Sequence, residues 1–426
     1  MNKNLFDYIA AAPTAYHACA HTSEILSANG YTELFEGKKW NIEKGKGYFV
    51  RRNGSSVIAF RIPHCDIDGF KITAAHSDSP CLKIKENPEM ADKYYVHLSS
   101  ETYGGMIYSS WLDRPLAIAG RLAVKGEHGI EIKLVDTKES VAIIPNVAIH
   151  MNRQVNSGMN YNASVDLIPM YGGEKDSFKD SIAALAGVCA EDILTTDLFL
   201  YNPQVGYEWG GYISAPRLDD LQCAYASLAA FLTSDKDSGC GVPVYALFDN
   251  EEVGSQTKQG AASTLLYDTL KRIINAISLC EEDYMRAIAN SFMISCDNAH
   301  AVHPNHPEYA DKNHSVHMNE GIVIKYNANQ RYTSDAVSAA IFKLICQRAD
   351  VPVQYYANRA DMPGGSTLGN IANTQVSLNT VDIGLAQLAM HSSFETAGAK
   401  DTEYMVKALR VFFESRINAT CGGYEI

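Results

Sequence analysis

Across its 426 residues this chain contains no C-x-x-C pair and no apolar run near the ~18 residues a membrane-spanning helix needs. It also lacks any excess of basic charge. Each absence removes a class of protein. Ten cysteines stand scattered at 19, 65, 81, 189, 223, 240, 280, 296, 346 and 421. They read as free thiols of a reducing compartment rather than a disulfide framework or a structural zinc site. With 36 Lys+Arg against 49 Asp+Glu, the net charge of −13 has the wrong sign for a nucleic-acid or anionic-membrane binder. The opening residues, Met1-Asn2-Lys3-Asn4-Leu5-Phe6-Asp7, lack the basic and apolar regions of a signal peptide, so a cytoplasmic location is expected. Hydrophobic residues at 46% and charged residues at 20% exclude disorder, and the length suggests more than one domain.

What is present is an alternation of elements. Asn4 to Asn29 has helical spacing broken at Pro13. Gly47 to Ile62 reads as a hairpin about Asn53-Gly54, and Phe70 to Ala75 as a strand running into His76-Ser77-Asp78. From about Lys85 to Tyr207 short β-like runs alternate with turns, among them Leu116 to Val124, Ile130 to Val135 and Ser140 to Ile144. After Pro216, Leu218, Leu221, Tyr225, Leu228 and Leu232 mark an amphipathic helix. Strands at Val242 to Phe248, Phe292 to Cys296, Ile322 to Tyr326, Val351 to Tyr356 and Val381 to Ile383 then alternate with helices at Ala261 to Ile277, Asp335 to Ala349 and Thr396 to Ser415. The expectation is an α/β fold: a central mixed sheet flanked by helices, built from residues 1–85 and 208–426, with a β-rich insert over 86–207.

Ligands of α/β sheets bind beyond the carboxyl ends of strands. Five polar groups fall at such places or at a strand-to-helix junction: His76 with Asp78, Asp219-Asp220, Asp249-Asn250-Glu251-Glu252, Asp297 and His391. Taken singly each is ordinary. A histidine after an apolar strand is most often a core residue, and Asp219-Asp220 before a helix serves as a cap. Together they form an imidazole–carboxylate set that suits a pair of divalent cations, zinc foremost, with manganese or cobalt also accommodated. Asp78 is placed to orient His76 through its second ring nitrogen. Adjacent Glu251 and Glu252 point in different directions, so one can bind metal while the other serves as general base.

These motifs, together with Ala12-Pro13-Thr14-Ala15-Tyr16-His17-Ala18, Trp111-Leu112-Asp113-Arg114, Asp297-Asn298-Ala299-His300 and Ala389-Met390-His391-Ser392, occur in an order that resembles the aspartyl aminopeptidase and vacuolar aminopeptidase I family. The resemblance implies a zinc-exopeptidase fold of the phosphorylase/hydrolase-like type, with an inserted dimerisation domain. It implies that His76, Asp219 and Asp297 hold one metal, and Asp219, Glu252 and His391 the other. Glu251 becomes the general base toward the attacking water, and the Asp219-Asp220 peptide is expected to be cis. His150 looks like the family histidine that reaches from a neighbouring subunit to the oxyanion. His300, Lys325 and Tyr332 fall where relatives touch substrate, and the counterpart of Lys325 pairs with an acidic first side chain. His303 and His306 are left as loop-shaping residues. The implied partners are peptide substrates and identical subunits, as dimers assembled into a tetrahedral dodecamer. Asp220, usually asparagine, and the Pro363-Gly364-Gly365-Ser366-Thr367 turn depart from the pattern. The rivals are a dinuclear amidohydrolase, such as an N-acyl deacylase or dipeptidase, and a catalytically silent assembly scaffold.

Overall fold

The computed structural model describes residues 1–235 and 239–426. Its spine is a nine-stranded mixed sheet in the order Thr32–Leu34, Gly47–Arg52, Ser56–Arg61, Gly241–Phe248, Gly69–His76, Phe292–Cys296, Asn379–Gly384, Ile322–Tyr326, Val353–Ala357. The four strands from Gly241–Phe248 to Asn379–Gly384 run parallel, and every residue of the first three is buried. Such strands read as continuous apolar runs because helices cover both faces. The strand period of two sorts their side chains between two cores. Tyr245 and Leu247 join a core with the helices Asn2–Ala11, Ala15–Ala28, Leu218–Thr233, Ala336–Arg348 and Asp401–Glu414. Val244, Ala246 and Phe248 face Leu265–Ala276, Glu281–Ala289 and Leu368–Ala372.

Between Cys81 and Tyr201 the chain forms a second sheet of seven strands. Ile193–Tyr201 pairs with both Cys81–Ala91 and Pro115–Gly126, which closes a barrel around a core containing Leu82, Leu98, Leu116, Leu122, Leu198 and Leu200. Closure brings backbones close at Gly120, where a Cβ would stand 2.0 Å from the Asp197 carbonyl oxygen, so only glycine fits. A third sheet, Tyr207–Trp209, Tyr212–Ala215, Glu395–Gly398, Ala386–Leu388 and Ala299–His300, was not anticipated.

Three expectations are corrected. Cys65 and Cys240 form a disulfide, and the other eight cysteines are free. The cause is topological. Parallel pairing aligns Gly69 with Gly241, which sets Cys240 beside Asp68, and the turn before that strand brings Cys65, 175 residues away in sequence, to a Cα separation of 5.5 Å from Cys240. The segment Thr396 to Ser415 divides into the strand Glu395–Gly398 and the helix Asp401–Glu414. In Thr396-Ala397-Gly398 only Thr396 favours a strand, and pairing with Tyr212–Ala215 decides the conformation of the run. Helices also occur at Phe178–Ala186, inside the β-rich stretch, and at Glu281–Ala289. Among the described residues no helix is long and apolar enough to cross a membrane.

Candidate metal centre

The sheet register assembles the site. Phe248 pairs with His76, so Asp249-Asn250-Glu251-Glu252 emerges beside the end of the His76 strand. On the other side Ser295 pairs with Ala74, so Asp297, two residues on, is level with His76. Asp219 enters from the start of Leu218–Thr233, where Asp219 and Asp220 have non-helical backbones joined by a cis peptide, as the resemblance implies. His391 completes the group from a turn in which Ala389 and His391 both have positive φ.

One cavity is lined by His76, Asp219, Glu251, Glu252, Asp297 and His391, with His300, Lys325 and Tyr332 also on its wall. Asp219 is nearly central. Its Oδ1 lies 3.5 Å from His76 Nε2 and its Oδ2 3.5 Å from His391 Nε2, which is 3.3 Å from Glu252 Oε2. Two donors bound at ~2.1 Å to one tetrahedral zinc stand ~3.4 Å apart, so these spacings are those of co-ligands. Both imidazoles are already oriented for the task. His76 Nδ1–H donates to the Asp78 carbonyl (3.1 Å) and His391 Nδ1–H to the Gly105 carbonyl (2.9 Å), leaving each Nε2 to face carboxylates. A proton or a cation must stand between such lone pairs and carboxylate oxygens.

The electrostatics point the same way. Asp219 Oδ1, Asp220 Oδ1 and Glu252 Oε1 are buried without a hydrogen bond. Burial pushes Glu251 up to about 8 against the pull of His76, and raises Glu252 and Asp220 well above the usual carboxylate range. Burial opposes charging His391, yet Asp219 and Glu252 lift it to about 10. Among the described residues Lys325 is the one lysine or arginine lining the cavity. Its Nζ is 3.6 Å from Asp297 Oδ2 and 5.4 Å from the Tyr332 ring. Burial lowers its proton affinity, but Asp297, Tyr332 and Asp382 outweigh this and hold it above the usual lysine value. It passes Gly384, where a Cβ would stand 2.1 Å from the Asp297 carbonyl oxygen and 3.0 Å from Lys325 Cε. A surplus of buried carboxylate, two preset imidazoles and co-ligand spacing fit divalent cations.

Of the remaining residues singled out in the sequence, Asp78 lies beneath the cavity. It meets His76 chiefly through its backbone, while its carboxylate accepts the amides of Glu251 (3.1 Å) and Glu252 (3.2 Å) and the Tyr103 hydroxyl (2.6 Å). His300 is at the mouth with its ring 6.2 Å from Tyr356. His150 is exposed in the turn after Ala142–Ile143 and does not line the cavity of its own chain. His303 and His306 form a bridge in the exposed loop beyond His300. Sequence reading missed Tyr103, the Gly105 carbonyl and Glu395, which accepts the amides of Asp219 and His391. Tyr103 and Gly105 stand in no polar motif, and a tyrosine in a β-like run gives no local signal; Glu395 follows His391 by four residues in His391-Ser392-Ser393-Phe394-Glu395, which is the one local signal that could have found it.

A mixed α/β sheet carrying a buried imidazole–carboxylate cluster at its carboxyl edge defines a metal-dependent hydrolase. Residues 8–413 match the family described as Aminopeptidase I zinc metalloprotease (M18). Over 423 residues the chain is 44% identical to a probable M18 family aminopeptidase 2 of Clostridium novyi, covering 96% of this chain and 97% of the relative. It is 40% identical to one of Pseudomonas aeruginosa, covering 97% and 98%. A structure of the Ape4 and Nbr1 complex superposes with a TM-score of 0.94 at 32% identity, covering 96% of this chain and 85% of that one. A structure of the S. cerevisiae mApe1 dodecamer does so at 0.85 and 29%, covering 97% and 96%. The chain belongs to the M18 family and is a metal-dependent aminopeptidase, a hydrolase acting on peptide bonds.

Tyr103→Phe removes the hydroxyl that ties Asp78 to Asn250, whose Nδ2 donates to it (2.8 Å), without emptying the site. Turnover should fall about 10-fold or more, with unchanged metal content and an unchanged fold by circular dichroism.

Proposed function

We propose that the protein removes one N-terminal residue from peptides using two divalent cations, zinc foremost, with manganese or cobalt as alternatives. His76, Asp219 and Asp297 hold one, and Asp219, Glu252 and His391 the other. The observation that carries this reading is the placement of Asp219, whose two oxygens each face a different imidazole at 3.5 Å. Cations bound there would supply Lewis acidity toward a peptide carbonyl and a water.

The chain's own groups do the rest. Asp78 grips the backbone of Glu251 and Glu252, which aims their side chains separately: Glu252 toward His391, and Glu251 into the cavity as the base that takes the proton of the attacking water. Lys325, His300 and Tyr332 contact the substrate's first residue, and the buried Lys325 ammonium supports a preference for Asp or Glu there. His150 stabilises the oxyanion of a neighbouring subunit's reaction. Supporting this, Val147, Ile149 and Met151 around it are all exposed apolar side chains, which marks an interaction surface. Residues 1–85 and 208–426 form the catalytic unit and 86–207 an insert for subunit contacts. The assembly is a homo-oligomer of dimers reaching a tetrahedral dodecamer, a reading supported by the dodecameric mApe1 neighbour. For a cytoplasmic setting the eight free cysteines are the support, and the Cys65–Cys240 disulfide is the feature that counts against it.

Glu251→Gln keeps the shape of the site and removes the base. The kcat should drop by about 10²–10⁴-fold while zinc per subunit, measured by atomic absorption, stays at the wild-type value. Near wild-type turnover would exclude Glu251 from the role. For specificity, the wild type should hydrolyse Asp- and Glu-amides with higher kcat/KM than Leu-amide, and Lys325→Ala should lose that order. Metal content is measured in parallel, because the change also strips Asp297 of its cation. A wild-type preference for Leu would reject the acidic reading.

A further inference from the structure

Asp219 and His391 have irregular backbones. Asp219 (φ −83°, ψ 106°) lies outside the helical ladder that follows it, and His391 sits at φ 67° in a turn. Buried amides outside regular ladders need another acceptor. Both find the same one: Glu395 Oε2 accepts from Asp219 N at 3.0 Å, and Glu395 Oε1 from His391 N at 2.8 Å. Glu395 is 2% exposed.

The third sheet explains how one side chain reaches both. Glu395 pairs with Ala215, four residues before Asp219, and the hairpin that pairs Leu388 with Thr396 folds His391 back over it. Each oxygen is engaged by one ligand residue's amide, so the carboxylate acts as a two-pronged clamp.

We propose that Glu395 is a positioning residue that fixes Asp219 and His391 relative to each other and thereby builds the second metal position. The proposal rests on the dinuclear reading above. Two of the three donors at that position hang on Glu395, against one of three at the position made by His76, Asp219 and Asp297, so its loss should fall unequally on the two ions. Glutamine cannot substitute, because its amide has one acceptor oxygen and an NH₂ that would face an N–H donor. Aspartate keeps both oxygens on a stem one CH₂ shorter.

The test is zinc titration of the apo forms of wild type, Glu395→Gln and Glu395→Asp by calorimetry, with visible spectra of the cobalt-substituted proteins and apo melting temperatures. We expect wild type to bind two ions, and both variants to bind one of them about 10- to 100-fold more weakly while the other changes less. The cobalt spectrum should change accordingly. A purely structural role would lower the apo melting temperature and leave the ratio of the two affinities as in wild type. Unchanged or equally weakened affinities in a folded variant would overturn the role of Glu395 alone. A wild type that binds fewer than two ions would overturn the dinuclear reading and this proposal with it. If Glu395→Gln does not fold, the aspartate variant decides.

Discussion

Electrostatic repulsion among buried carboxylates is the constraint around which this molecule is organised. Asp219, Glu251, Glu252 and Asp297 line one cavity to which, among the described residues, Lys325 alone brings an ammonium, while Asp220 is buried directly behind. Like charges 4 Å apart cost about 4 kcal/mol even at an effective dielectric of 20. Without cations, burial first and the neighbouring carboxylates after it push Glu251, Glu252 and Asp220 up, while Asp219 and Glu252 lift His391 toward its charged form against its own burial. Divalent ions relieve the same repulsion by taking the lone pairs that protons otherwise hold, so their binding displaces protons and the repulsion becomes metal affinity.

Holding such a cluster in place is work for backbone amides and carboxylates beneath the donors. Asp78 carries Glu251 and Glu252, and Glu395 carries Asp219 and His391. The barrel between Cys81 and Tyr201 contributes as well. Tyr103, at the end of its second strand, locks Asp78, and the Gly105 carbonyl fixes the His391 tautomer. The inserted sheet thus reaches into the chemistry, and the geometry of the centre depends on how the two sheets are packed.

Much of this was written in local pattern. The continuous apolar runs Val242 to Phe248 and Phe292 to Cys296 announce strands buried on both faces, and the polar residues just beyond them are the ones that converge. That His76, Asp219, Glu252, Asp297 and His391 form two overlapping sets came from the resemblance, since periodicity alone does not say which strands are neighbours. The supports were illegible because they rest on pairing across the chain. Glu395 meets Asp219 across 176 positions and Tyr103 meets Asn250 across 147, and the one local hint was that Glu395 follows His391 by four residues. The Cys65–Cys240 pairing escaped for the same reason: two cysteines 175 residues apart become neighbours through the pairing of their strands and the path of the turn before Gly69.

The central claim is that Asp219 bridges two cations. The most direct measurement is anomalous scattering from crystals of the zinc-loaded protein. The account predicts two peaks per subunit, both within bonding distance of Asp219, one also contacting His76 and Asp297 and the other Glu252 and His391. A single peak, or two peaks that do not share Asp219, would contradict it.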